Sequence, residues 1–195
     1  PIASTVLGSG FGTVYVKDTA AETIVLKVAD DFGNTGKSSE VTISAGAIAS
    51  YAVTGSSPRI GGKGFQETVT AMDAHGNPVL TAASVLTLSA TGNAKFYTDD
   101  TYLTETGGVT LVAGMANLYV KDDTLESIVL TVTDENDLSG VSPPINVTLS
   151  LQQRIDAAND YDTIVVGPGT YYESLRISKP LTLTTADPAS PHKPV

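Results

Sequence analysis

The side chains best suited to chemistry in this sequence are two oxygen-rich acidic clusters. Asp134, Glu135, Asn136 and Asp137 are consecutive, and Asp30, Asp31 and Asn34 occupy the same place in an earlier copy of the surrounding motif. Hard oxygen ligands so closely spaced suit Ca²⁺. The twelve-residue spacing of an EF-hand loop is absent, and acidic residues also close hairpin turns, so calcium and a plain turn are the two readings. Asp156, Asp160, Asp162 and Glu173 could serve glycoside chemistry only at a defined separation, which the sequence does not set. Capping helices and turns is their other role, and Asp162 is expected to orient a turn. His75 and His192 lie far apart, with no Ser/Asp constellation around either. Cysteine is absent, which excludes disulfides, thiolate metal sites and cysteine nucleophiles. The run Gly61-Gly62-Lys63-Gly64 lacks the spacing and the following helix of a phosphate loop. No catalytic residue is therefore predicted, and no cofactor other than calcium.

The elements that must position these groups are β-strands. The chain has 195 residues, is 41% hydrophobic and carries a net charge of −10, with a pI near 4.4. It can bury a core, and its abundance of Thr, Val, Ser and Gly favours strands. With no basic patch to neutralise phosphates, nucleic acid is excluded as a partner, as is an anionic membrane surface. No apolar run is long enough to span a bilayer, so membrane insertion is not expected. Asn146-Val147-Thr148 fits a glycosylation sequon.

A repeat organises the chain. Residues 14–30, VYVKDTAAETIVLKVAD, return without a gap as residues 118–134, LYVKDDTLESIVLTVTD, with ten identities in seventeen positions and an offset of 104. Leu7, Gly10 and Val14 align with Leu111, Gly114 and Leu118 at the same offset. Residues 41–44 align by sequence with 147–150 at an offset of 106, which predicts a two-residue insertion in the preceding hairpin. Alternating polarity predicts strands at 13–17, 23–29 and 40–44 in the first copy. Ile24, Leu26 and Val28 would face a core, with turns at 18–22 and 31–36. In the second copy strands are predicted at 48–54, 65–73, 85–90, 95–98, 109–112, 117–121, 127–133 and 145–150. Short strands separated by turn signals at this spacing imply an antiparallel β-sandwich.

The succession FQETVTAMDAHGNPV, VLTLSA, GGVTLVAGMANLYVKD, SIVLTVTD and INVTLS resembles a bacterial Ig-like repeat of the invasin and intimin kind, most specifically in VTAMDAHGNPV at residues 69–79. The resemblance covers residues 45–150 as a complete copy and residues 1–44 as the C-terminal half of a preceding one. It implies secreted spacer domains strung in series on adhesins and on polysaccharide-active enzymes.

Residues 151–195 do not begin another copy. Leu151, Ile155 and Ala158 have helical spacing. Strands are predicted at 163–166, 175–177 and 181–184, with a sharp turn at Gly167-Pro168-Gly169 and a loop over 186–195. The stretch DTIVVGPGTY at 162–171 resembles the opening of a right-handed parallel β-helix of the pectin-lyase-like type, in which a short amphipathic helix caps the first coil. Such folds often carry polysaccharide lyases or hydrolases, but none of their catalytic positions can be matched here.

The fold expected is all-β: a partial and a complete Ig-like antiparallel sandwich, then the start of a parallel β-helix. The expected function is that of a non-catalytic extracellular spacer or assembly module of a prokaryotic surface or secreted protein. Alternatives are the accessory front end of a polysaccharide-active β-helix enzyme, and a filament or surface-layer subunit assembled by strand complementation. Expected partners are neighbouring domains, copies of the same protein and polysaccharide. Tyr97, Tyr102, Tyr161, Tyr171 and Tyr172 are available to a sugar, though spacing places no group of them on one face.

Overall fold

The computed structural model describes residues 4–167, 171 and 173–185. The first unit contains β1 (Thr23–Ile24), β2 (Lys27–Ala29), β3 (Thr35–Lys37) and β4 (Val41–Thr42), with β1 paired to β4 and β2 to β3. The strand predicted at 13–17 does not form. Its counterpart in the second copy is held between two flanking strands, and the first unit supplies neither.

The second unit contains β5 (Ile48–Val53), β6 (Arg59–Ile60), β7 (Gly64–Asp73), β8 (Val85–Ala90), β9 (Lys95–Tyr97), β10 (Gly108–Thr110), β11 (Met115–Lys121), β12 (Ser127–Ile128), β13 (Leu130–Thr133), β14 (Ser139–Val141) and β15 (Ile145–Thr148). One sheet runs β5-β7-β11-β9 and the other β10-β8-β13-β14, while β15 joins β12 and β6. In chain order the first is the A-B-E-D sheet and β8-β13-β14 are the C-F-G strands of an Ig-like sandwich, with β10 added at the β8 edge. The inner faces meet in one core, where Val69, Leu86, Leu118, Val120, Ile128, Leu130, Val132 and Ile145 are all buried. Strict alternation along β7 puts Phe65, Val69 and Ala71 inward and Gln66, Thr68 and Thr70 outward.

Two expectations change here. The single strand predicted at 127–133 breaks at Val129, whose N–H bonds the Thr91 hydroxyl, so that β12 and β13 pair in different sheets. The inserted hairpin residues are also absent. Thr23 pairs with Thr42 and Ser127 with Asn146, which keeps the offset at 104 through the last strand. Ladder register decides this, because a shift of two residues would break the matched bonds from Ile43 N–H to Glu22 C=O and from Val147 N–H to Glu126 C=O, both 2.8 Å.

The third unit is α1 (Leu151–Ala157) with β16 (Thr163–Val166) and β17 (Thr182–Thr185), which pair in parallel. All four N-terminal N–H groups that the helix leaves open are satisfied by side chains. The Gln153 side chain accepts from Ser150, Glu173 accepts from Leu151 and Gln152, and the Ser150 hydroxyl accepts from Gln153. Leu151, Ile155, Ile164 and Val166 form a second small core. The strand predicted at 175–177 is absent. There the Gln152 side chain takes the place of a ladder neighbour, accepting from Arg176 N–H at 2.7 Å and donating to its carbonyl at 3.2 Å. His192, Tyr172, and most of the predicted turn at 167–169 and loop at 186–195 lie outside the described residues.

Candidate functional site

The acidic clusters build turns of one design. Asp134 closes the loop between β13 and β14, where its Oδ1 accepts from the N–H groups of Asn136 and Leu138 at 2.9 and 3.0 Å. Asp30 does the same for Phe32 and Asn34 at 3.0 and 2.8 Å. Asp73, in the part of the repeat that the first copy does not include, does it for His75 and Asn77 at 2.8 and 2.9 Å. A short acid at the head of a turn thus replaces backbone partners that the reversal removes. The second oxygen differs among the three. It accepts from the Asn34 amide at 2.7 Å in the first turn, from the Asn77 amide and the Gly46 N–H at 2.9 Å each in the Asp73 turn, and from the Tyr51 hydroxyl at 2.8 Å in the Asp134 turn.

These bonds favour the ionised acids. The Asn34 amide and N–H hold the Asp30 carboxyl below its ordinary range. The Asn77 amide and the Gly46 N–H hold Asp73 far below it. Burial works against the charge on Asp134, but its bonds from Tyr51, Asn136 and Leu138 outweigh burial and leave its pKa lowered. Asp31, Glu135, Asn136 and Asp137 are exposed. Among the described residues no group of three or more His, Asp or Glu side chains is arranged to hold a metal ion. Of the other carboxylates, Asp162 accepts from Asn159 N–H and Asp156 from the Gln152 amide, while Asp160 is exposed. His75 is exposed in its turn.

Sequence reasoning missed three features. The first is a joint between units. Asn77 accepts from Ala21 N–H at 3.0 Å and donates to the Thr19 carbonyl at 2.7 Å, while Asp73 holds Gly46 in the connecting segment. The Asp-x-x-Gly-Asn pattern shared by 30–34 and 73–77 was the available signal. The second is a buried network. Glu67 on the inner face of β7 accepts from Arg59 at 2.7 Å, from Ser56 N–H at 3.0 Å and from the Thr54 hydroxyl at 2.8 Å. It pins the stretch where the chain leaves β5 and crosses to pair β6 with β15. The third is Asp122, which is buried with Oδ1 on Thr124 N–H and no donor to Oδ2. Burial pushes its pKa up, and the neighbouring Glu126 adds to the push.

The structure also groups tyrosines. Tyr97 and Tyr119 are register partners on β9 and β11, and Tyr102 stands edge-on to both, with ring centroids 5.7 and 6.3 Å apart. Gly64 leaves the space that the Tyr102 ring fills, since a Cβ there would lie 2.3 Å from it. Tyr161 is exposed in the third unit, and Tyr171 packs on the small core there.

No protein-family model matches the sequence, and no curated protein matches it. Solved structures similar in fold include a glycosyl hydrolase family 2 member from Bacteroides cellulosilyticus, at 15% identity and a TM-score of 0.46, covering 64% of this chain and 17% of that one. The surface layer protein SbsC, domains 4–9, is similar at 18% identity and a TM-score of 0.39, covering 67% and 18%. The D00-D0 domain of intimin is similar at 15% identity and a TM-score of 0.40, covering 64% of each chain. This chain thus spans less than a fifth of the hydrolase it resembles. At these scores the fold rests on the strand order itself: an all-β chain whose second unit is an Ig-like sandwich.

Proposed function

We propose that this chain is a non-catalytic structural module of an extracellular surface or secreted protein, in which Ig-like units follow one another as spacers. The observation that carries this reading is the joint. A turn of one unit binds two backbone groups of the preceding unit through Asn77, and the same turn holds the connecting segment through Asp73. Backbone-directed bonds of this kind fix the angle between units, which a spacer needs. The test is extension of the chain between two handles in a force spectrometer. Unfolding of residues 45–148 should appear as one discrete step lengthening the chain by on the order of 35 nm. A featureless extension at low force would overturn the reading.

A second reading is the accessory front end of a polysaccharide-active β-helix protein. Its support is the parallel pair β16 and β17, joined without a described helix and capped by α1. On this reading polysaccharide binds at Tyr97, Tyr102 and Tyr119, whose rings offer apolar edges beside hydroxyls. Titration with soluble polysaccharides should then give heat that Tyr102→Ala abolishes. The acidic turns we read as structural: a chelator should leave the melting temperature unchanged, and a fall would restore calcium at Asp134 or Asp30.

A further inference from the structure

The tripeptide Asn146-Val147-Thr148 takes no part in the turns or in the joint between units. The sequence holds seven asparagines, and only Asn146 has a hydroxyl residue two places on. Several of the others are tied into the fold. Asn34 and Asn77 close turns, Asn93 bonds Glu126, and Asn117 donates to the Tyr119 hydroxyl. The Asn146 side chain is exposed and has no hydrogen-bond partner among the described residues.

Strand alternation sets that exposure. β15 turns Ile145 and Val147 into the core and Asn146 and Thr148 out to solvent. The amide and the hydroxyl therefore share one face, about 7 Å apart along the strand. The side chains flanking the amide are short. Its register partner on β12 is Ser127, and on the other side the Asn146 N–H donates to the Ser57 hydroxyl at 3.0 Å. Both serines are exposed. The Thr148 hydroxyl is barely committed, since it reaches the Arg59 carbonyl at 3.5 Å, beyond the usual range of a hydrogen bond. The first copy has Thr42 and Ser44 at these places, so the tripeptide belongs to the second unit alone.

We infer that Asn146 is a modification site carrying an N-linked glycan, which rests on the extracellular reading above, since Asn-x-Thr is read on exported chains. The donor class is an oligosaccharide joined to a lipid through a diphosphate. Asn146 Nδ2 attacks the anomeric carbon of the first sugar, and an N–C bond forms. The bond from that carbon to the diphosphate oxygen breaks, the lipid diphosphate leaves with the electron pair, and the amide gives up one proton to the transferase. Once attached, the glycan points away from the sandwich, and Ile145 and Val147 keep their places in the core. A bulky hydrated chain there covers the outer face of β12, β15 and β6.

The test is peptide mapping by mass spectrometry of the protein recovered from outside the cells that make it. The peptide containing Asn146 should be heavier by whole sugar residues in most molecules. Asn146→Gln and Thr148→Ala should each return it to its unmodified mass, and Thr148→Ser should keep the sugar. All three replacements lie on the solvent face, so none should disturb the core. An unmodified peptide in the exported protein overturns the proposal and leaves the spacer reading in place. Sugar that survives Asn146→Gln sits on another group, such as the Thr148 hydroxyl, and overturns it as well, as does sugar that survives Thr148→Ala. Protein found only inside the cells overturns the extracellular reading, and the glycan site with it.

Discussion

Asp30, Asp73 and Asp134 each tie two backbone N–H groups of a tight turn, so their ionised forms belong to the folded state. Their pKa values are lowered on folding. The stability they supply is therefore complete above the unfolded carboxyl value, about 3.9, and is lost as the pH falls through and below it. The melting temperature should hold between about pH 7 and 5 and drop below about pH 4. Asp122 has the opposite sign. Its pKa is raised, so its contribution is present at low pH and disappears as the pH rises through its folded value. The nearby Glu126 carboxylate works in the same direction as burial. Asp122→Asn keeps the acceptor for Thr124 N–H and removes the buried charge. It should raise stability at pH 7 by about 1 kcal/mol in urea unfolding, with a smaller gain near pH 4.5. A loss of stability at pH 7 would mean that the charge is matched by a group in the fold.

The strands show how context, more than local sequence, decides which residues order. Val28 and Val132 are identical residues in aligned strands, yet one is exposed and the other lies at the centre of the sandwich. Val132→Asp should unfold residues 45–148, because the core offers the charge no partner, whereas Val28→Asp should shift stability by less than about 0.5 kcal/mol. Equal effects of the two, read by circular dichroism melts, would mean the first unit has a core of its own. The Arg59–Glu67 pair gives a further test. Arg59→Met leaves a buried carboxylate with less support and should cost about 3 kcal/mol, much of which Glu67→Leu in the same chain restores. Long alternating strands were legible in the sequence: β8 at 85–90 and β7 at 64–73 follow directly from their pattern. Three short ones were not. Arg59–Ile60, Ser139–Val141 and its first-copy counterpart Thr35–Lys37, which overlaps the turn expected at 31–36, carry no alternation, and they become strands only because β15, β13 and β2 lie beside them. The strand expected at 13–17 fails for the converse reason, having the pattern without the neighbours. The tyrosine cluster was hidden similarly, since it depends on Tyr97 pairing with Tyr119 and on a loop returning Tyr102 over Gly64. The turn acids were found as residues at 30 and 134, but their partners depend on loop geometry, so the third member at Asp73 went unseen.

At the scale of the whole molecule, the question is what holds one unit at a set angle to the next. A connecting segment of a few residues does not do so by itself, and inter-unit motion is the default where little surface is shared. Here the Asn77 amide is divided between two tasks: its Nδ2 bonds Asp73 within the turn and the Thr19 carbonyl across the joint, while its Oδ1 takes the Ala21 N–H. Among the described residues the side chain of the equivalent Asn34 bonds within its own turn, to Asp30. Substituting each by alanine therefore separates the tasks. Both variants lose a side-chain bond inside a turn and should lower local stability alike. Only Asn77→Ala should also release the joint, broadening the distribution of inter-unit angles seen by small-angle scattering or residual dipolar couplings. If both variants scatter as the parent does, the joint is held by the connecting segment and Asp73 alone. If Asn34→Ala broadens the distribution equally, the angle is set by the internal order of the first unit. Either result would move the rigid element of the joint away from Asn77, and the first would predict that the bond from Gly46 N–H to Asp73 is the one that cannot be removed.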